Sequence, residues 1–339
     1  MLIMKYLSGV FLAIALLCNL SFAEEGSITG NMEAEGWYAW WVPFTSRNEE
    51  KGVLTKYRID PAFLHGATVS MRSEGRGYYA LQYLTSKLEG EINSMAVTEK
   101  RDKVIFDEFV RWRGDILHRM SGERYLYTRL VYGGFTGKAE FINPTSFTTY
   151  EELNINSRFV VADLLWMRLS EEKFLGGFGL RLMNYKIPAV TYKTSGNVIT
   201  DINFSDTEFR SYSLVLSLLH GYRVSKDGKS PDIPFLSGTY NIMGKEGSFT
   251  IYLDDFILYL GYGESENSAI GKGGGVTVGM EGASGFNANW EFRRSLLGLN
   301  IGVRFLYNLI STTTGDKEKN TVTSEDMFIG PFLNLRWVF

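Results

Sequence analysis

The stretch FRSYSLVLSLLHGYR, residues 209–223, alternates over a length that a soluble strand seldom reaches. One face presents Tyr212, Leu214, Leu216, Leu218, His220 and Tyr222. The other presents Ser211, Ser213, Val215, Ser217, Leu219 and Gly221. A period of two marks a β-strand, and an apolar stripe bounded by tyrosines needs an apolar medium on one side only. Soluble strands run about 5–6 residues, whereas a strand crossing a bilayer needs about 9–11.

The pattern recurs. In LNIGVRFLYNLI (299–310), Leu299, Ile301, Val303, Phe305, Tyr307 and Leu309 oppose Asn300, Gly302, Arg304 and Asn308. In FNANWEFRR (286–294), Phe286, Ala288, Trp290 and Phe292 oppose Asn287, Asn289, Glu291 and Arg293. Val160, Ala162, Leu164 and Trp166 alternate with Asp163, and GPFLNLRWVF (330–339) carries Pro331, Leu333, Leu335, Trp337 and Phe339 on one face. A β-sandwich buries its inward faces and would not repeat polar ones strand after strand. The expected fold is all-β: a transmembrane antiparallel up-and-down barrel over residues 24–339.

The N-terminus agrees with export. Residues 1–23 place Lys5 before the apolar run Val10 to Leu17 and end on Ser21-Phe22-Ala23, the order of a secretory signal peptide cleaved before Glu24. Beyond Cys18 the chain has no cysteine, which excludes disulfides, a thiolate nucleophile and Cys-ligated metal from the mature protein. Loss of Lys5 moves the formal charge from −3 to −4, and no polybasic run points to nucleic acid.

Fourteen candidate strands fit between residues 34 and 339, among them 208–223, 234–243, 247–261, 273–281 and 285–293. In a barrel, one rim carries long loops and the other tight turns. Here 44–65, 136–156 and 187–207 read as long loops, and 75–76 as a tight turn. The alternation breaks at 244–246, too short, and at 262–272, too long, so an extra or missing pair between 234 and 285 leaves twelve or sixteen strands open.

Signal peptide, cysteine-free body, alternating strands and a terminal phenylalanine together resemble a Gram-negative outer-membrane β-barrel of porin-like architecture. The resemblance covers the whole mature chain. It implies residence in the outer membrane, contact with its lipid, and insertion by the barrel-assembly machinery. That machinery reads a last strand in which Trp337 and Phe339 fall on the aromatic positions, although Phe332 and Asn334 depart from the pattern.

Parity then assigns the lumen. Nine inward bases are expected, Arg72, Arg111, Arg113, Arg129, Arg181, Arg223, Arg293, Arg304 and Arg336, against the six acids Glu74, Asp107, Asp115, Asp163, Glu281 and Glu291. Arginine stays ionised and presents a planar fork to carboxylate or phosphate. These residues either line a pore that leans toward anions or pair with lumen acids and brace the wall. Inward Phe159, Leu165, Met167, Phe328 and Phe332 keep a carrier of hydrophobic solutes in view.

Asp254 and Asp255, adjacent in FTIYLDDFILYL, break strict alternation, as does Glu108. A β-bulge that turns one carboxylate inward is the first account, and a protomer contact in a homo-oligomer the second. A cation site is the weakest, because two carboxylates lack a third oxygen ligand. Of the three mature histidines, His65 reads as a loop residue, His118 as a turn residue and His220 as interfacial. None has a serine two positions on, as outer-membrane lipid hydrolases require, and no Asp–His couple matches an outer-membrane protease. GKGGGVTVG (271–279) lacks phosphate-loop spacing. The expectation is therefore an outer-membrane channel without catalysis, metal or cofactor, passing small polar solutes by diffusion. A barrel closed by its loops and used as a binding or adhesion surface is the alternative. N-terminal sequencing of the protein from outer-membrane fractions should begin at Glu24; a chain beginning at Met1 would contradict the processing.

Overall fold

A computed structural model describes residues 28–48, 53–73, 77–94, 102–142, 149–169, 174–195, 198–220, 237–242, 245–267, 271–292, 295–314 and 321–338. The strands in chain order are β1 (Ile28–Asn48), β2 (Val53–Ser73), β3 (Gly77–Ser94), β4 (Asp102–Ser121) and β5 (Arg124–Ile142). They continue with β6 (Thr149–Leu169), β7 (Phe174–Ser195), β8 (Val198–His220) and β9 (Ser237–Ile242). The last four are β10 (Lys245–Asn267), β11 (Gly271–Phe292), β12 (Ser295–Thr314) and β13 (Thr321–Val338).

Twelve of them close a barrel. Each pairs antiparallel with its neighbours, and β1 joins β13 through the register Asn31↔Val338 to Trp37↔Phe332 and beyond. The exception is β9, six residues that pair only with Lys245–Thr250 of β10, while β8 pairs with Phe256–Asn267. Both ends of the barrel sequence lie at one rim, here called the terminal rim. At that rim a tight turn joins β4 to β5, where Gly122 adopts φ 53°, a left-handed conformation that glycine takes without steric cost.

The strand number corrects the count of about fourteen. Residues 234–243 supply only the short β9. Segments 273–281 and 285–293 are one strand, β11, because GASG (282–285) continues the ladder instead of turning. Glycine is needed at 282 for space: a Cβ there would meet the Phe305 ring at 2.8 Å. Both anomalous connections disappear once this false pair is removed.

The outer face divides into two zones. On β6, Val160, Leu164 and Trp166 are exposed between outward Arg158 and Arg168. Ten residues at about 3.3 Å rise, tilted about 40°, give an apolar band roughly 25 Å tall. Tyr132, Tyr212 and Tyr262 border it on one side, and Trp166 and Trp337 on the terminal side, all exposed. This is the lipid-facing belt with its aromatic girdles.

Beyond the tyrosines the walls continue as a polar collar. Arg158, Lys186, Glu208, Glu266 and Lys272 occupy one continuous row of cross-strand partners from β6 to β11. Lys186 pairs with Asp206, Arg210 with Glu208 at 2.8 Å, and Lys272 with Glu266 at 3.0 Å. The segments 44–65, 136–156 and 187–207, expected as long loops, are therefore largely wall: β1 runs to Asn48, β2 starts at Val53, and β7 and β8 flank residues 196–197. In water neither face of a paired strand needs to be apolar, so the alternation fades while the ladder persists. Glu108, a lipid-face anomaly in the sequence, lies exposed in this collar, opposite Thr136.

The belt predicts a sharp contrast in refolding free energy. Leu214→Arg, in mid-belt, should destabilise the barrel by about 2–4 kcal/mol in denaturant titrations on lipid vesicles. Asn156→Arg, in the collar, should change it by less than about 0.5 kcal/mol. Equal effects would contradict the placement of the belt.

Candidate functional site

The inward side chains of opposite walls meet. The Cα atoms of β2 and β7, five strands apart around the wall, approach within 8 Å, which requires a flattened cross-section. Toward the collar, Trp37, Leu64, Leu84, Phe109, Phe135, Tyr185 and Phe209 form one apolar cluster. Toward the terminal rim, Tyr78, Leu117, Tyr127, Leu165, Val215, Leu219 and Ile257 form another. Phe332, Leu165 and Met167 belong to these clusters, and Phe159 and Phe328 pack against the first. The expected inward aromatics are thus in place, and they fill the interior.

An ionic layer lies among them. Arg129 donates from Nε to Asp163 at 2.7 Å, and Arg181 reaches Asp163 from Nε at 2.7 Å and from Nη2 at 3.0 Å. Glu281, from β11 across the lumen, accepts from both arginines. Arg181 also lies 4.4 Å from the centre of the Tyr259 ring. Arg113 forms a second set. It offers its fork to Asp255 at 2.7 and 2.8 Å and contacts Asp115 at 2.8 Å, while Tyr127 donates to Asp115 at 2.5 Å. The Arg113–Asp255 pair joins β4 to β10 across the barrel.

A β-bulge produces the Asp255 half of that pair. The register of β10 slips between Asp254 and Ile257, and Asp255 takes φ 53°, so both carboxylates turn inward and are buried. Asp tolerates this left-handed conformation better than most side chains, and the fork it receives helps to hold it there. The bulge account of the acidic pair stands.

The expected lumen residues are distributed as follows. Arg72, Arg113, Arg129, Asp163, Arg181 and Arg336 face inward and are buried, and Arg111 and Arg304 face inward and are half-buried. Glu291 keeps inward parity near the terminal rim but is exposed. Arg336 donates to Asn289 at 2.9 Å. Trp337 is exposed on the lipid face. Arg293, Phe339, Arg223, Glu74 and residues 1–23 lie outside the described residues. Parity missed the buried inward acids Glu35, Asp254, Asp255 and Asp326. With them the inward acids outnumber the inward arginines among the described residues, and the expected positive excess is gone. His65 is a correction too: it stands within β2, exposed and stacked on Phe63 with centroids 6.0 Å apart, and His118 is exposed within β4.

Two cavities flank the ionic layer. The larger, upper one, about 120 Å³ and on the collar side, has a mostly apolar wall of Trp37, Phe109, Val131, Phe159, Met183 and Phe328, into which Arg111, Arg129, Arg181, Arg304, Asp255, Glu281 and Asp326 also reach. The smaller, about 70 Å³ and nearer the terminal rim, is lined by Glu35, Gln82, Asp115, Asn287, Asn300 and Arg336, again with Asp255 and Arg304. Asp255 and Arg304, 3.6 Å apart, thus stand between an apolar chamber and a polar one.

The closed antiparallel wall, the apolar belt and the two girdles define this chain as an outer-membrane β-barrel. No protein-family model and no curated protein matches it. Among solved structures it is similar to the translocator domain of the autotransporter NalP from Neisseria meningitidis, at 13% identity and TM-score 0.40, covering 96% of this chain and 95% of that one. It is also similar to the β domain of the Bordetella autotransporter BrkA, at 10% identity and TM-score 0.38 over 92% and 99% of the two chains. The toluene transporter TodX of Pseudomonas putida matches at 8% identity and TM-score 0.34, over 94% and 90%.

The ionic layer predicts asymmetric costs. Asp163→Asn leaves Arg129 and Arg181 buried with one carboxylate fewer and should cost about 3–5 kcal/mol of refolding free energy in vesicles. Arg168→Ala removes a solvated contact to Glu123, 3.5 Å long, and should cost under about 1 kcal/mol. A neutral Asp163→Asn would remove the layer's structural role.

Proposed function

We propose that the protein is a gated conduit for small amphipathic solutes across the outer membrane, working by binding and release without chemistry. The observation that carries this reading is the pair of chambers meeting at Asp255 and Arg304. A free water-filled bore fits the geometry less well, because the Arg113 fork to Asp255 crosses the lumen there. An amphipathic solute suits both chambers: its apolar part matches the upper lining and its polar part the lower. Release of the Arg113–Asp255 fork would join the two.

Lipid and the assembly machinery are the partners this reading needs, the latter through the β13 face that carries Trp337. Diffusion of small polar solutes is the second reading. The polar lower chamber with Arg113, Arg304 and Arg336 favours it. Glu33, Glu35, Asp115, Asp254 and Asp255 line the same chamber and outnumber its arginines, so no lean toward anions is expected.

Current through planar bilayers separates these readings. The gated conduit should give brief, rare openings in the wild type. Asp255→Asn and Arg113→Gln, each checked for folding by heat-modifiable gel migration, should raise open probability at least tenfold. Steady salt-scaled steps in the wild type, unchanged in both variants, would replace the gate with simple diffusion. Silence from all three folded proteins would overturn the conduit.

A further inference from the structure

Trp37, on the inner face of β1 and 3% exposed, has two guanidinium groups against it: the Cζ of Arg304 lies 4.5 Å from its ring centre and that of Arg111 5.5 Å. The two cations are therefore within about 10 Å of each other, and ring contact of this kind only partly offsets their desolvation. They differ from three other lumen arginines. Arg113, Arg129 and Arg181 are each held by carboxylates at 2.8 Å or less. The single polar partner of Arg111 among the described residues is Gln82 Oε1, at 2.5 Å. Gln82 in turn donates its amide to Glu35 at 2.9 and 2.8 Å, so Arg111 reaches that acid only through an uncharged spacer. Among the described residues Arg304 has only the longer contact to Asp255, whose oxygens Arg113 already occupies, and its buried Nε has no hydrogen-bond partner there.

Two half-buried cations side by side, with their hydrogen-bonding capacity only partly met, are costly unless something completes them. A carboxylate accepts from two guanidinium groups at once and is suited to such a pair. The adjoining space sets the rest of the molecule. The cavity of about 120 Å³ is walled by Phe109, Phe159 and Phe328, and an apolar cavity of about 150 Å³ is known to take one benzene ring. Long chains do not fit, and an inorganic anion would leave the apolar walls empty.

We infer that the upper chamber is a recognition site for a small aromatic monocarboxylate. Its carboxylate bridges Arg111 and Arg304 beside Trp37, and its ring occupies the apolar space. The site rests on the conduit reading for the ligand's way in and out, and it names the solute class that conduit selects.

The test uses the mature barrel folded in detergent, with 4-fluorobenzoate and 4-fluorotoluene as probes followed by fluorine NMR line width. Fluorobenzoate should bind saturably, and Arg111→Gln and Arg304→Gln should each weaken it at least tenfold while leaving fluorotoluene binding unchanged. Fluorobenzoate binding unchanged in both variants, or absent from protein shown to be folded by heat-modifiable migration, overturns the site. Liposome flux of benzoate, measured alongside, keeps the two proposals separable. Flux without saturable binding ends the recognition site and leaves the conduit; saturable binding without flux leaves the site and ends the conduit.

Discussion

A backbone N–H or C=O that faces hydrocarbon has no water to bond, and each one left open costs several kcal/mol. A sheet that crosses lipid is therefore driven to pair its strands on both edges. The β1–β13 ladder meets that demand by closing the sheet on itself. Closure leaves β9 a minor part: it pairs only with Lys245–Thr250 of β10, and among the described residues the β8–β10 ladder begins at Phe256. It also frees the inner face from any need to be apolar, and what fills that face is then a matter of function and bracing.

The filling is layered. Two apolar clusters would make an inert plug if they met directly, but a band of buried arginines and carboxylates runs between them. Buried ion pairs contribute little net stability against apolar replacements of the same shape, yet breaking one is expensive. Such a layer fixes which walls face each other and how far apart they stand. The Asp255 bulge belongs to it: a strained residue in β10 meets the fork of Arg113, and the lumen divides at that point. Division into an apolar and a polar chamber is what turns a braced barrel into a candidate gate.

Much of this was legible in the sequence and some was not, for physical reasons. The belt was legible, because lipid imposes a strict period of two: Tyr212 to Leu216 and Leu333 to Trp337 face outward as read. Most of the arginine positions followed from the same parity. The collar was not legible, since strands in water may be polar on both faces, and 187–207 therefore looked like loop. GASG in β11 looked like a turn because small residues serve turns and tight side-chain contacts equally well; only the Phe305 ring decides between them. Asp254 and Asp255 signalled a bulge but not their partner, because Arg113 lies 142 residues away and only closure brings it near. Glu35 and Asp326 fall at the very start of the candidate strands 34–43 and 326–339, where too few alternating residues precede them to fix a face.

The division of the lumen is the central claim, and thiol accessibility tests it directly. Residues 24–339 contain no cysteine, so single cysteines can be placed at Val161 in the upper chamber and Asn300 in the lower. A small charged methanethiosulfonate, added from one side of a proteoliposome at a time, should label each position from one side only, and from opposite sides. Equal labelling of either position from both sides would mean a continuous bore, and the account of two chambers separated at Asp255 would be wrong.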